Sequence, residues 1–218
     1  YIIRTKPINE KQINKIRTGL GKEFGKIVEV RLENVGPIIG GETTKNAVIA
    51  LILASVMIVI YLSIAFRKVP KPTSSWRFGV TAVVALLHDA LLLLGVFSIL
   101  GHFWKVEVDV LFITALLTVI GFSVHDTIVV FDRIRENLPK FLSSKFDFVA
   151  NVSVTQTLAR SLNTSLTVVF VLLALLLFGG ETMKWFVVAL LIGIISGTYS
   201  SIFNATALLD LWEEKLGH

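Results

Sequence analysis

Five stretches of the chain are almost wholly apolar: residues 46–66, 78–100, 110–131, 161–180 and 185–209, each with no Asp, Glu, Lys or Arg or with a single acidic residue. A membrane helix needs about 20 predominantly apolar residues, so these read as five transmembrane spans. Ahead of them the period changes. Residues 1–5 read as a strand, and Asn9 is placed to cap a helix whose Ile13, Ile16, Leu20 and Phe24 recur at spacings of three and four. Over 27–35, Val28, Val30 and Leu32 alternate with Glu29, Arg31 and Glu33, the period of a half-buried strand. The pattern predicts a membrane all-α helical bundle carrying a small α+β remnant of an exterior domain, a β-α-β unit over 1–35. Gly36, Pro37, Gly40 and Gly41 then interrupt both periods, and 36–45 reads as a hinge. A phosphate-cradling loop is the functional alternative for these glycines, but no Lys-Ser/Thr pair follows, so a linker is the stronger reading.

Composition narrows the class. Of 218 residues, 54% are hydrophobic and 17% charged, with mean hydropathy +0.75, which excludes an ordinary water-soluble enzyme. The absence of cysteine excludes disulfides, thiolate metal sites and cysteine nucleophiles. The net charge of +5 is informative only loop by loop. Arg67, Lys68, Lys71 and Arg77 follow the first span, and Arg133, Arg135, Lys140, Lys145 and Arg160 lie between the third and fourth; the opposite side has only Lys105 and Lys184. Basic short loops stay in the cytoplasm. On that rule 67–77, 132–160 and the tail 210–218 are inside, and 1–45 is exterior despite its nine Lys or Arg, because a folded domain translocates largely regardless of charge. The chain opens at Tyr1 without a signal peptide, so a preceding span and most of an exterior domain are expected upstream.

Ionisable residues inside a span mark ion paths or proton relays by default. Here they are His88 and Asp89 in the second span and His125 and Asp126 in the third. Counted from the nearest basic or acidic residue, Asp89 lies roughly 18 Å in and Asp126 about 9 Å from the inner end. Thr114, Thr118, Gly121 and His125 form a small or polar stripe flanked by Ser123, while Arg160, Asn163, Thr164 and Thr167 share one face of the fourth span. A cation at the end of one face and a carboxylate on the other predict a switchable pair, Asp126 with Arg160. Burial disfavours a charged carboxylate and a nearby cation favours it, so motion of Arg160 would load and unload a proton. The bland alternatives are a snorkelling Arg160 and a structural His88–Asp89 pair. A metal site of two imidazoles and two carboxylates is disfavoured, because adjacent helical residues point about 100° apart. No metal and no cofactor is expected.

In the fifth span Gly193, Gly197 and Ser201 recur every fourth residue beside Ser196 and Ser200, a spacing that lets helix backbones approach closely. Asp132, Arg133, Arg135 and Glu136 read as an amphipathic helix lying on the lipid bilayer or docked on a partner. A nucleic-acid patch is the weaker reading, since the charges alternate and no aromatic platform follows.

The segment Gly121-Phe-Ser-Val-His-Asp-Thr-Ile-Val-Val-Phe-Asp-Arg-Ile-Arg-Glu-Asn137 resembles the signature of the SecF family, accessory subunits of the bacterial protein translocase. Val35-Gly-Pro37, Leu87-His-Asp89, Thr155-Gln-Thr-Leu-Ala-Arg-Ser161 and Phe178-Gly-Gly180 resemble it too, in family order and spacing. The resemblance implies an RND-type bundle of six spans, five of them present here. It further implies a multi-pass protein of the plasma membrane, not an enzyme, that uses the proton-motive force with SecD at the SecYEG channel to draw a translocating preprotein across. The family's carboxylate, in its Ser-x-Asn-Asp-Ser/Thr context, falls on Asp126, followed here by Thr127; its basic partner falls on Arg160. His125 stands where the family has Asn, and imidazole, unlike an amide, can titrate near neutral pH. The rival functions are an RND-type proton-coupled small-molecule transporter, an intramembrane hydrolase using Asp89 and Asp126 without the expected Gly-x-Gly-Asp motif, and a passive scaffold of the translocase.

Overall fold

The structure, a computed structural model, describes residues 10–25, 37–67 and 73–215. The expected strands over 1–5 and 27–35 lie outside the described residues, all of whose regular elements are helical. The chain divides into two compact units after Val48. In the first, α1 (Glu10–Phe24) is the amphipathic helix that the spacing of Ile13, Ile16, Leu20 and Phe24 predicts. Gly25, at φ 77°, ends it in the left-handed conformation that glycine adopts without steric cost. The expected linker over 36–45 is corrected in part: α2 (Pro37–Ala65) begins at Pro37 and takes in Gly40 and Gly41. Proline suits the first helical turn, where its missing N–H has no partner to lose, and the long apolar run beyond carries the helix through the glycines.

The second unit is the bundle. The rest of α2, α3 (Ser75–Trp104), α4 (Val110–Asn137), α5 (Phe146–Phe178) and a last helix in three pieces are each long and apolar enough to cross a membrane. That last helix is α6 (Lys184–Tyr199), a π-helical turn (Ser200–Asn204) and α7 (Ala205–Lys215). The chain is a multi-pass membrane protein. Asp109 starts α4 by accepting from the Phe112 N–H at 2.8 Å, satisfying one of the orphan donors of the first turn. Short connections alternate the helix directions, gathering Arg77, Arg133, Arg135, Lys140, Lys145 and Arg160 at one end, the basic end.

The described helices outrun the expected spans, and each extension has a cause. Asp132, Arg133, Arg135 and Glu136 do not form a separate surface helix; they are the last turns of α4. No breaker precedes Pro139, Ile134 and Asn137 continue the buried face, and i,i+3 pairs Arg133–Glu136 at 2.8 Å and Arg135–Asp132 at 2.7 Å line the exposed one. α5 starts 15 residues before the expected span because Val149, Ala150, Ser153 and Thr157 already follow one buried face. The expected tail from Asp210 is helical to Lys215, with Leu209 and Glu213 buried.

Two apolar layers make the core. Away from the basic end, Leu93 and Phe97 of α3 pack with Phe112 and Val119 of α4 and Val187 of α6. Toward the basic end, Leu62 of α2 and Phe66 just beyond it pack with Phe78, Phe131, Ile134, Ile202 and Leu209, the Phe78 ring lying edge-on to Phe131 at 5.2 Å. Between these layers α4, α5 and α6 bury hydroxyls, and α3 and α4 each bury a carboxylate, Asp89 and Asp126.

Candidate ion-coupling site

Two buried carboxylates define the site, Asp89 of α3 and Asp126 of α4, each contacted by a hydroxyl from a neighbouring helix beside the α4–α6 seam. Seam closeness comes from the glycines that the four-residue spacing singled out. A β-carbon on Gly193 would fall 2.3 Å from Val119 Cγ2, and one on Gly197 would fall 3.2 Å from Ser123 Cβ. At Gly193 only glycine admits α4 this near α6, and at Gly197 a β-carbon would press on Ser123. The third member of that series, Ser201, is buried and bonds to α4 directly.

At the first centre Asp89 of α3 is 1% exposed. Ser123 Oγ donates to its Oδ2 at 2.6 Å, and the His88 ring Nδ1 lies 3.2 Å from Oδ1. Ser201 Oγ donates to the Ser123 carbonyl at 2.7 Å and stands 3.1 Å from the Ser123 hydroxyl. The same carbonyl accepts from Thr127 Oγ1 at 3.1 Å. Each hydroxyl has one proton, so Ser201 and Thr127 are committed to the carbonyl and Ser123 is free to serve Asp89.

At the second centre Asp126 of α4 is also 1% exposed. Its partners are weaker: Ser165 Oγ of α5 at 3.4 Å from Oδ2, and His125 Nδ1 at 3.9 Å from Oδ1. Ser165 is drawn the other way, to Thr198 Oγ1 of α6 at 2.6 Å, and Thr198 donates to the Ile194 carbonyl at 2.8 Å. Asp126 is therefore an under-coordinated carboxyl in an apolar bundle, next to a hydroxyl pair that can turn toward it or away.

The structure does not join Asp126 to Arg160. Arg160 is exposed and lines a polar recess at the basic end with Asp132, Arg133, Glu136, Gln156 and Thr157. Among the described residues its guanidinium makes no ion pair or hydrogen bond. Asn163, Thr164 and Thr167 are exposed too, and the hydroxyls of the two threonines bond back to the carbonyls of Arg160 and Asn163. On α4, Thr114, Thr118, Gly121 and His125 are all exposed. The two polar faces thus point out of the bundle, on helices that pack against each other. His88 also stands on the outer surface, about half exposed. Among the described residues no cluster of His, Asp and Glu has the geometry of a metal site.

Sequence reasoning missed the partners of Asp126, although Ser165 and Thr198 lay in expected spans. It also missed Arg77–Glu213, an ion pair at 2.8 Å between the start of α3 and α7 in which Glu213 is fully buried. Expecting a tail after Leu209 hid it. Asn137 and Gln156, which join α4 to α5 through bonds of Asn137 Nδ2 to Ser153 Oγ at 3.0 Å and Gln156 Oε1 at 2.9 Å, were read only as motif positions.

A family model described as "Protein export membrane protein SecD/SecF, C-terminal" matches residues 15–215. The chain is 54% identical to the protein translocase subunit SecF of Thermobaculum terrenum over 95% of its length and 64% of that relative. It is 44% identical to SecF of Anaerolinea thermophila over 97% of its length and 68% of that protein. It thus spans about two thirds of these relatives. Protein translocase subunit SecDF of Bacillus subtilis is 38% identical over 95% of this chain and 27% of its own. Among solved structures, the crystal structure of SecDF in Super-membrane-facing form superposes with a TM-score of 0.75 at 32% identity, covering 97% of this chain and 27% of that one.

Proposed function

The chain belongs to the SecD/SecF family of protein-export membrane proteins, and from that premise we propose that it serves as a SecF-type translocase subunit of the plasma membrane that couples a proton gradient to preprotein movement through Asp126. The carrying observation is Asp126 itself: 1% exposed, held by one long hydroxyl contact and one distant imidazole, with no cation in place. A permanent charge so poorly supported inside an apolar bundle is expensive, whereas a carboxyl that alternates between neutral and charged forms needs only an intermittent partner.

The outward polar faces fit a SecD-type partner. In lipid, Arg160, Asn163, Thr164, Thr167 and His125 would face acyl chains at a cost, and a second set of helices packed there relieves it. Arg160 then lies at the edge of an interface where a small shift of α5 along α4 brings the guanidinium toward Asp126. The basic end faces the cytoplasm by the loop-charge rule, so the N-terminal unit is exterior and its movement acts on the preprotein emerging from SecYEG. Moving one charge through the membrane potential supplies about 2.3 kcal/mol per 100 mV, enough to bias a two-state helix arrangement.

The test is preprotein export by vesicles carrying the complete translocase, with and without an uncoupler. Asp126→Asn is expected to reduce export to the uncoupled level and to make it insensitive to the uncoupler. Full, uncoupler-sensitive export by that variant would reduce the subunit to a scaffold.

A further inference from the structure

The buried face of α5 carries a hydroxyl at every fourth position: Ser153, Thr157, Ser161 and Ser165, none more than 7% exposed. Successive members are about 6 Å apart along the helix. That is too far for a direct hydroxyl contact, but it is the span of two O–H···O bonds through one water of about 2.8 Å each. The two ends of the ladder differ. Thr157 lines the polar recess at the basic end beside Arg160, Gln156 and Glu136, while Ser165 contacts Asp126.

Ser161 stands between them and is the anomaly. Ser153 and Thr157 donate to the carbonyls of Val149 and Ser153, the usual resting place of a helical hydroxyl. Ser161 makes no such bond. Its Oγ is fully buried and has no hydrogen-bond partner among the described residues. A buried polar atom of this kind calls for an explanation, and an internal water with two to four polar neighbours is the commonest.

We propose that Ser161 holds an internal water joining the recess at Thr157 to the Ser165–Asp126 pair, so that the buried face of α5 is the proton path between the basic end and Asp126. The proposal rests on the reading of Asp126 as the proton-loaded group. In each passage a water or hydroxyl accepts one proton and releases its own to the next; Asp126 gains or loses one proton, and no bond to carbon changes. Arg160 at the mouth keeps stray cations out of the path without blocking the Grotthuss-type relay of protons.

The test is proton flux into proteoliposomes holding the full-length protein with its SecD-type partner under an imposed pH gradient. Ser161→Ala is expected to lower the flux about tenfold, equivalent to about 1.4 kcal/mol on the barrier, and Ser161→Thr, which keeps the hydroxyl, to restore it. Ser200→Ala removes another buried, unpartnered hydroxyl that is not on α5 and is expected to leave the flux unchanged. If Asp126→Asn abolishes the flux while Ser161→Ala conducts like the parent, the ladder is wrong and the role of Asp126 stands; if Asp126→Asn conducts normally, both fall. Should Ser161→Ala fail to assemble, Ser161→Cys provides a second reading, its thiol signal taken as the difference from the parent's spectrum. Its S–H infrared band is expected to shift within the mixing time on transfer to D2O, faster than that of Ser200→Cys; equal or slower exchange would overturn the proposal.

Discussion

Gly193 of α6 lies directly against Val119 of α4, with room for a hydrogen and none for a methyl group: a β-carbon there would sit 2.3 and 2.7 Å from the two valine methyls. Valine is stiff about χ1 and cannot swing aside cheaply. Gly193→Ala is therefore expected to destabilise the purified protein by about 1–3 kcal/mol, the usual cost of overpacking a well-packed site. Val119→Ala removes both clashing methyls, so the double variant should recover much of the loss. Thermal unfolding in a fixed detergent, run as a double-mutant cycle, measures the coupling; strictly additive losses would place the strain elsewhere.

The neighbouring contact governs Asp89. Ser123 gives its single proton to this carboxylate at 2.6 Å, within the short range of charge-assisted bonds, while Gly197 leaves Ser123 Cβ just enough space. Ser123→Ala is expected to cost about 1.5–3 kcal/mol of stability, the range for a hydrogen bond to a charged group. In an Asp89→Asn background the same change should cost about 0.5–1.5 kcal/mol, as for a neutral pair. Equal costs in the two backgrounds would show that Asp89 carries no charge in this conformation.

The sequence exposed the parts of this arrangement that depend on periodicity. Five spans, the small-residue seam at Gly193, Gly197 and Ser201, and the two acidic residues at risk in lipid all follow from spacing and from the cost of burying charge. What spacing cannot give is which polar face turns inward. Arg160, Asn163, Thr164 and Thr167 share a helical face, and Ser153, Thr157, Ser161 and Ser165 share another of the same helix; one is exposed and the other buried. Hydroxyls can close on their own backbone, so a buried row of them mimics an apolar stripe in packing while reading as polar in sequence. α4 and the start of α5 run past the apolar spans for a related reason: charge limits the contact with lipid, not the helix.

His125 separates two roles that the sequence left open. Its ring is 65% exposed and Nδ1 stands 3.9 Å from Asp126, beyond hydrogen-bond range. The ring stands on the outside of the bundle, out of hydrogen-bond contact with Asp126. His125→Asn is accordingly expected to keep both the rate of proton-driven export and its pH profile in vesicles. A displaced pH optimum would bring the imidazole into the relay.

Glu213 and Arg77 give the sharpest prediction about the basic end. Glu213 Oε2 meets Arg77 Nη1 at 2.8 Å, while Glu213 Oε1 and Arg77 Nε are buried with no partner among the described residues. Beside them Trp76 and Trp212 meet edge to face at 5.0 Å, so the pair and the two rings together hold α7 on α3. Removing one charge strands the other: Glu213→Ala is expected to cost about 3–5 kcal/mol. Removing both and refilling the space, as in Arg77→Met with Glu213→Leu, should be neutral or stabilising, because the pair's mutual attraction barely offsets its desolvation. The tryptophan emission of the two variants reads the contact itself: a red shift in Glu213→Ala and an unshifted spectrum in the double variant are expected. Were Glu213→Ala to unfold at the parent's temperature with unchanged emission, α7 would be held by the aromatic contact and Leu209 alone.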